Sequence, residues 1–177
     1  MKYLFCLLFL LPAMNPPIIL FDFTNTASLE NWRVVDDGVM GGKSAGNLTV
    51  NDKGQGVFEG DISLENYGGF SSVRFYFDAV HIEDQTKVIL KVKGDGKDYQ
   101  FRVKAATGDY YTYVSKFSTN GKWQEIEIEL KDMYPSFRGR KLNVPNFDKD
   151  AIESITLLIG NKKAEHFRLL IDQITLQ

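Results

Sequence analysis

From residue 18 onward, apolar and polar positions alternate with a period of two in short runs, and each run closes on a turn signal. A period of two sends successive side chains to opposite faces, which is what a half-buried strand needs. Many such runs at short spacing point to an all-β, mostly antiparallel sandwich or barrel. Residues 18–23 form the first predicted strand. Residues 57–64 and 70–77 follow, separated by ENYGG, and 155–159 and 167–176 come last. No repeat, low-complexity tract or long linker interrupts the pattern, so residues 16–177 read as one β-sandwich domain.

Two hairpins are predicted in register. TKVILKVK and KDYQFRVK flank GDGK, and Asp95-Gly96 suits a two-residue type I′ turn, whose two central positions both need positive φ. That register pairs Val92 with Tyr99, Leu90 with Phe101 and Val88 with Val103 on one face. It leaves Lys91, Lys93, Arg102 and Lys104 on the other. The second hairpin joins YYTYVSKFS to WQEIEIEL through Asn120-Gly121, pairing Phe117 with Gln124, Tyr113 with Ile128, Tyr111 with Leu130, and Lys116 with Glu125 outside. Glu125, Glu127 and Glu129 then make an acidic stripe that reads as a solvated strand face. The segment 133–154 is the one long irregular connection expected; it carries Arg138, Arg140 and Lys141 close together.

Composition narrows the chemistry. At 177 residues, 44% apolar and 13% aromatic, the chain is long and apolar enough to bury a core. A net charge of −2 argues against nucleic acid as a partner, since that needs a strong basic excess. The single cysteine, Cys6, and the two histidines, His81 and His166, leave no disulfide framework, zinc site or cysteine nucleophile beyond residue 6. No cofactor, metal or catalytic residue is expected. At the N-terminus Lys2 precedes an apolar run over 3–11, too short to span a membrane and closed by Pro12 and Ala13. Residues 1–15 read as a signal peptide or as a short apolar segment. The first places the protein in the periplasm or cell envelope, the second in the cytoplasm or at the inner membrane.

The stretch DDGVMGGKS, 36–44, admits three readings. A phosphate loop needs a glycine where Asp37 stands and a helix after Lys43-Ser44, where AGNLTV follows instead. A calcium loop needs alternating acids, and Asp36 and Asp37 are adjacent. A turn fits best: the glycines permit unusual backbone angles, Asp37 can bond N–H groups ahead of it, and Met40 either packs at the sandwich end or offers a soft contact to a partner.

WRVVDDGVMGGKS resembles the signature of the complex I intermediate-associated protein 30 family, relatives of an assembly factor for respiratory NADH:ubiquinone oxidoreductase. FEGDISLENYGGFSSVR, KVKGDGKDYQFRV, Trp123, FRGR at 137–140 and GNKKAEHFRLLIDQITL continue the match in order. Asp36 stands where the family often has Asn, and Glu165-His166 where it usually has Gly-Pro. The resemblance implies a galactose-binding-like jelly roll and a non-catalytic interaction module with a protein partner, a respiratory-complex subunit among the candidates. The fold's sugar-binding relatives offer the alternative of a carbohydrate-binding module of the cell envelope; a glycoside hydrolase ranks last. The partner or ligand surface is expected to bear Asp37, Met40, Ser44, Asn66, Phe70, Arg74, Asp95, Tyr99 and Arg138, with the two arginines pairing carboxylates such as Asp37 and Asp95. For a glycan, Tyr67, Tyr110, Tyr111 and Tyr134 are the candidate stacking rings.

Overall fold

In KDYQFRVK the alternation is realised directly: Tyr99, Phe101 and Val103 are buried in the core while Gln100, Arg102 and Lys104 face outward. The computed structural model describes residues 16–177, so the apolar N-terminal segment with Cys6 lies outside the described residues. The strands are β1 (Ile18–Asp22), β2 (Trp32–Asp36), β3 (Ala45–Val50), β4 (Gly56–Ile62), β5 (Ser71–His81), β6 (Lys87–Lys93) and β7 (Asp98–Lys104). They continue with β8 (Thr112–Ser118), β9 (Trp123–Glu129), β10 (Tyr134–Phe137), β11 (Arg140–Lys141), β12 (Ala151–Ile159) and β13 (Glu165–Leu176). They form two antiparallel sheets. The six-stranded sheet runs β3-β4-β13-β6-β9 with β1 added on β13; the seven-stranded sheet runs β11-β10-β8-β7-β12-β5-β2. Their inner faces enclose one apolar core, in which Phe58, Val73, Leu90, Phe101, Leu157, Phe167 and Leu169 are among the fully buried side chains. No helix among the described residues is long and apolar enough to cross a membrane.

Neither expected hairpin forms. β6 lies in the six-stranded sheet between β13 and β9, and β7 lies in the seven-stranded sheet between β12 and β8. Val92, Leu90 and Val88 are registered with Gln124, Ile126 and Ile128. Tyr99, Phe101 and Val103 are registered with Phe117, Ser115 and Tyr113. The two short connections therefore carry the chain across from one sheet to the other. Their geometry says why: a type I′ turn needs two left-handed residues, and here only Gly96 (φ 87°) and Gly121 (φ 80°) have positive φ, while Asp95 and Asn120 do not. The six apolar residues assigned to one hairpin face do share a core, but they enter it from opposite sheets. Lys116 and Glu125 consequently stand on different sheets and do not pair.

The two-residue turn with both φ positive occurs elsewhere. Arg138 (φ 48°) and Gly139 (φ 76°) link β10 to β11, with Phe137 paired to Arg140. The segment 133–154 is irregular only in part, over 142–150: β10 extends the seven-stranded sheet by pairing with β8, and Phe147 is buried and donates its N–H to the Met133 carbonyl at 3.0 Å.

Candidate binding face

The glycine-rich stretch is an internal clamp. Asp37 opens a short 3-10 turn that ends at Gly41 in the left-handed region, φ 83°. Its carboxylate is buried, and four donors converge on it. Oδ2 accepts from Ser44 Oγ at 2.5 Å, from Gly69 N at 2.6 Å and from Phe70 N at 3.3 Å, and Oδ1 accepts from Ser44 N at 3.1 Å. Ser44 Oγ in turn accepts from Ser63 N at 3.0 Å, and Asn66 donates to the Gly41 carbonyl at 2.8 Å. A Cβ on Gly68 would stand 2.6 Å from Asp37 Oδ2, so this position tolerates only glycine. Burial opposes ionisation of Asp37, but the donors together outweigh it and hold the carboxyl below its ordinary range. Buried, and with both oxygens engaged by N–H and O–H donors, this carboxylate is not presented outward to a cation or a partner. Asp37, Ser44, Asn66 and the Phe70 backbone therefore tie the 37–44 stretch to the ENYGG loop. The Met40 side chain lies outside the described residues.

Asp95 and Tyr99 form a second clamp. Asp95 accepts from Lys97 Nζ at 2.7 Å, Tyr99 OH at 3.0 Å and Arg168 N at 2.9 Å, fastening the β6–β7 crossover to β13. Burial works against the Asp95 charge, yet these bonds prevail and lower its pKa. Burial first, and the Asp95 charge second, push the Tyr99 phenol above its ordinary range. The expected pairing of Arg74 and Arg138 with Asp37 and Asp95 does not form, because both carboxylates are filled by nearer donors. Apart from Met40, the expected site residues therefore divide among two clamps, one face and one turn instead of making one surface. Arg138 sits in the β10–β11 turn over the Phe137 ring, 5.2 Å from its centroid, beside a pocket of about 340 Å³ lined by Phe137, Arg138 and Arg140.

Arg74 belongs to a different arrangement, the outer face of the seven-stranded sheet. Strand register sets Tyr134, Val114, Arg102, Thr156, Arg74 and Arg33 side by side on β10, β8, β7, β12, β5 and β2. The row on one side is Lys116, Gln100, Leu158, Ser72 and Val35. On the other side Ser136 stands beside Thr112, and Lys104 beside Ser154 and Tyr76. Outward-facing residues as short as Val114, Thr156, Ser154, Ser72 and Ser136 are buried, so their longer neighbours stand over them as walls over a floor. Five cations occupy these rows and no carboxylate does. Arg33 is folded back onto the Glu30 and Trp32 carbonyls, and Lys104 donates to the Thr107 and Asp109 carbonyls. Among the described residues, Arg102 donates to the Gln100 amide oxygen alone, at 2.7 and 3.2 Å. Among the described residues, Arg74, Arg102 and Lys116 make no ion pair. Burial lowers the Arg102 pKa and the positive Arg74 adds to the effect, while Tyr134 opposes it.

Sequence reasoning missed Arg102, Lys116, Gln100 and Tyr76 as members of this face. Arg102 and Lys116 had been placed on hairpin backs, and nothing local in the chain shows that β7 and β8 are sheet neighbours of β12 and β10.

Two antiparallel sheets packed face to face, built from crossovers between them, define a jelly-roll β-sandwich. The model of the Complex I intermediate-associated protein 30 family matches residues 21–171. The chain belongs to that family. A curated relative, an uncharacterised protein of Schizosaccharomyces pombe, is 26% identical, over 82% of this chain and 79% of its own. Among solved structures, the family 11 carbohydrate-binding module of the cellulosomal cellulase Lic26A-Cel5E of Clostridium thermocellum superposes with a TM-score of 0.68 at 18% identity, covering 93% of this chain and 95% of that one. The family 11 module from the same organism in complex with a β-1,3-1,4-mixed-linked tetrasaccharide gives 0.66 at 18%, covering 90% and 94%. An agarase gives 0.62 at 18%, over 92% of this chain but 24% of its own. At these identities the likeness is one of fold, and it agrees with the galactose-binding-like jelly roll expected from the sequence.

Proposed function

We propose that this protein is a non-catalytic interaction module that helps a protein complex assemble or remain stable, and that it takes its partner on the outer face of the seven-stranded sheet. The observation that carries this reading is a polar, buried floor flanked by three cations that the molecule does not neutralise itself. Such a face suits a polar partner with complementary charge. Family membership supports a partner in the assembly of respiratory complex I. The carboxylates singled out by the sequence serve as clamps, which supports binding over catalysis. Deleting the gene and resolving native respiratory complexes by electrophoresis tests the proposal: an assembly intermediate should accumulate, and unaltered complex I would refute the assembly role.

A second reading, a carbohydrate-binding module of the cell envelope, draws on Tyr76 and Tyr134, which stand on the same face, and on the exposed Tyr110 at its rim. It requires export with removal of the apolar N-terminal run. The intact mass and compartment of the native protein separate the two: loss of about fifteen residues and a place outside the inner membrane would favour the glycan.

A further inference from the structure

We infer that the outer face of the seven-stranded sheet recognises the carboxylates of an extended acidic segment of a partner protein, with Arg102 and Arg74 as the principal anion-binding groups and Lys116 beside them. The inference rests on the interaction-module reading above and names the chemistry of its partner.

Three observations converge on it. The first is the charge itself. Arginine presents a planar fork of donors that matches a carboxylate in bidentate fashion. Arg102 uses part of its fork on Gln100, an uncharged acceptor, and Arg74 has no ion pair among the described residues. Three acids at the margin accept bonds elsewhere: Asp98 from Ser118 Oγ at 2.6 Å, Glu153 from Thr107 N at 2.6 Å and Asp109 from Ala106 N at 3.2 Å. Asp78, exposed and two residues beyond Tyr76 on β5, makes no ion pair with Arg74 or Arg102 among the described residues.

The second is spacing. Arg102 and Arg74 both register with Thr156 on β12, one strand to either side. Two strand spacings set their backbones about 9.5 Å apart. Alternate residues of an extended chain stand about 7 Å apart on one face, so two carboxylates on such a chain fall within reach of both arginines, while the buried Thr156 leaves the floor between them low.

The third separates charge recognition from ring stacking. Neutral sugars need free ring faces, but two rings on this side are already covered by the protein's own cations. Lys141 lies over Tyr134 at 5.4 Å, and Arg138 lies over Phe137 at 5.2 Å. Phe137 also meets Tyr110 edge to face, with centroids 5.5 Å apart. What remains open on the face is charge and, of its rings, Tyr76.

The test is fluorescence anisotropy of a fluorescein-labelled, glutamate-rich decapeptide against the full chain at low salt. Saturable binding is expected, weakened about tenfold or more by Arg102→Gln and by Arg74→Gln and unchanged by Lys91→Gln, a paired lysine on the opposite sheet. Thermal melts check that each variant folds; Arg74→Gln decides the matter if Arg102→Gln does not. Absence of saturable binding, or an equal loss with Lys91→Gln, overturns the inference. Displacement of the peptide by polygalacturonate at lower carboxylate concentration overturns the peptide as occupant in favour of an acidic glycan. Peptide binding with unaltered complex I in the deletion strain sinks the assembly role alone. Impaired assembly without peptide binding sinks this inference alone.

Discussion

The two outer faces of the sandwich carry similar side chains and treat them oppositely. On the six-stranded sheet most cations meet an acid: Lys87 with Glu127 at 2.9 Å, Lys91 with Asp172 at 2.7 Å and Arg168 with Glu59 at 3.3 Å, while His166 hydrogen-bonds Asp61 at 3.1 Å and Lys93 makes no ion pair among the described residues. Glu125, Glu127 and Glu129 lie along β9, an edge strand, where charge discourages pairing with another sheet. On the seven-stranded sheet Arg74, Arg102 and Lys116 meet no acid among the described residues. Exposed pairs add little stability, roughly 0 to 1 kcal/mol each, so the difference matters less for folding than for the field each face projects. A net charge of −2 says nothing of this difference, because it sums both faces.

The largest expected effect concerns the clamps, which the comparison assigns to neither face. Asp37→Ala leaves buried donors without an acceptor and should cost on the order of 3 kcal/mol in urea unfolding, with acidic-peptide affinity unchanged in the folded protein. A loss of binding with stability intact would instead return the glycine-rich stretch to the binding surface. Acid should reproduce part of this loss. Asp37 and Asp95 have folded pKa values below their unfolded value of about 3.9. Their contribution is therefore fully present above that value and is lost as pH falls through the folded ones. Melting temperatures measured downward from neutral pH should decline steeply below about pH 4, and less so in Asp95→Asn.

Smaller effects sharpen the contrast between faces. Arg138→Gly removes a left-handed non-glycine residue and should stabilise by up to about 1 kcal/mol, leaving peptide binding in place; weaker binding would extend the cationic face to the β10–β11 turn. Smallest are the lysines. Lys87→Gln should cost about 0.5 kcal/mol or less and leave binding unchanged. A comparable stability cost for Lys116→Gln would show that this lysine has a partner and is not held open for one.

Much of the strand content was legible in the chain. The expected strands at 18–23, 57–64, 70–77, 155–159 and 167–176 correspond to β1, β4, β5, β12 and β13, and the glycines at 96 and 121 do turn the chain. The pairing was not legible. Alternation at Val88, Leu90 and Val92 looks the same whether Tyr99, Phe101 and Val103 lie beside them or across the core. The Asp95-Gly96 and Asn120-Gly121 pairs carry hairpin chemistry, but the hairpin turn is at Arg138-Gly139, whose sequence signals it less. Of the residues singled out, Arg74 lies on the face proposed here for binding, while Asp37, Ser44, Asn66, Asp95 and Tyr99 make the hydrogen bonds of the two clamps.

The sequence by itself determined which residues face the core, because a period of two and side-chain hydrophobicity act locally. It also determined family membership, which is written in contiguous blocks. Only the tertiary structure decided which strands are neighbours. Sheet partnership depends on how the crossovers route the chain, a long-range choice among arrangements that bury the same apolar side chains. That choice placed Arg102 and Arg74 one strand to either side of Thr156, and put Glu125 on the sheet opposite Lys116, so that among the described residues these cations have no acid paired with them.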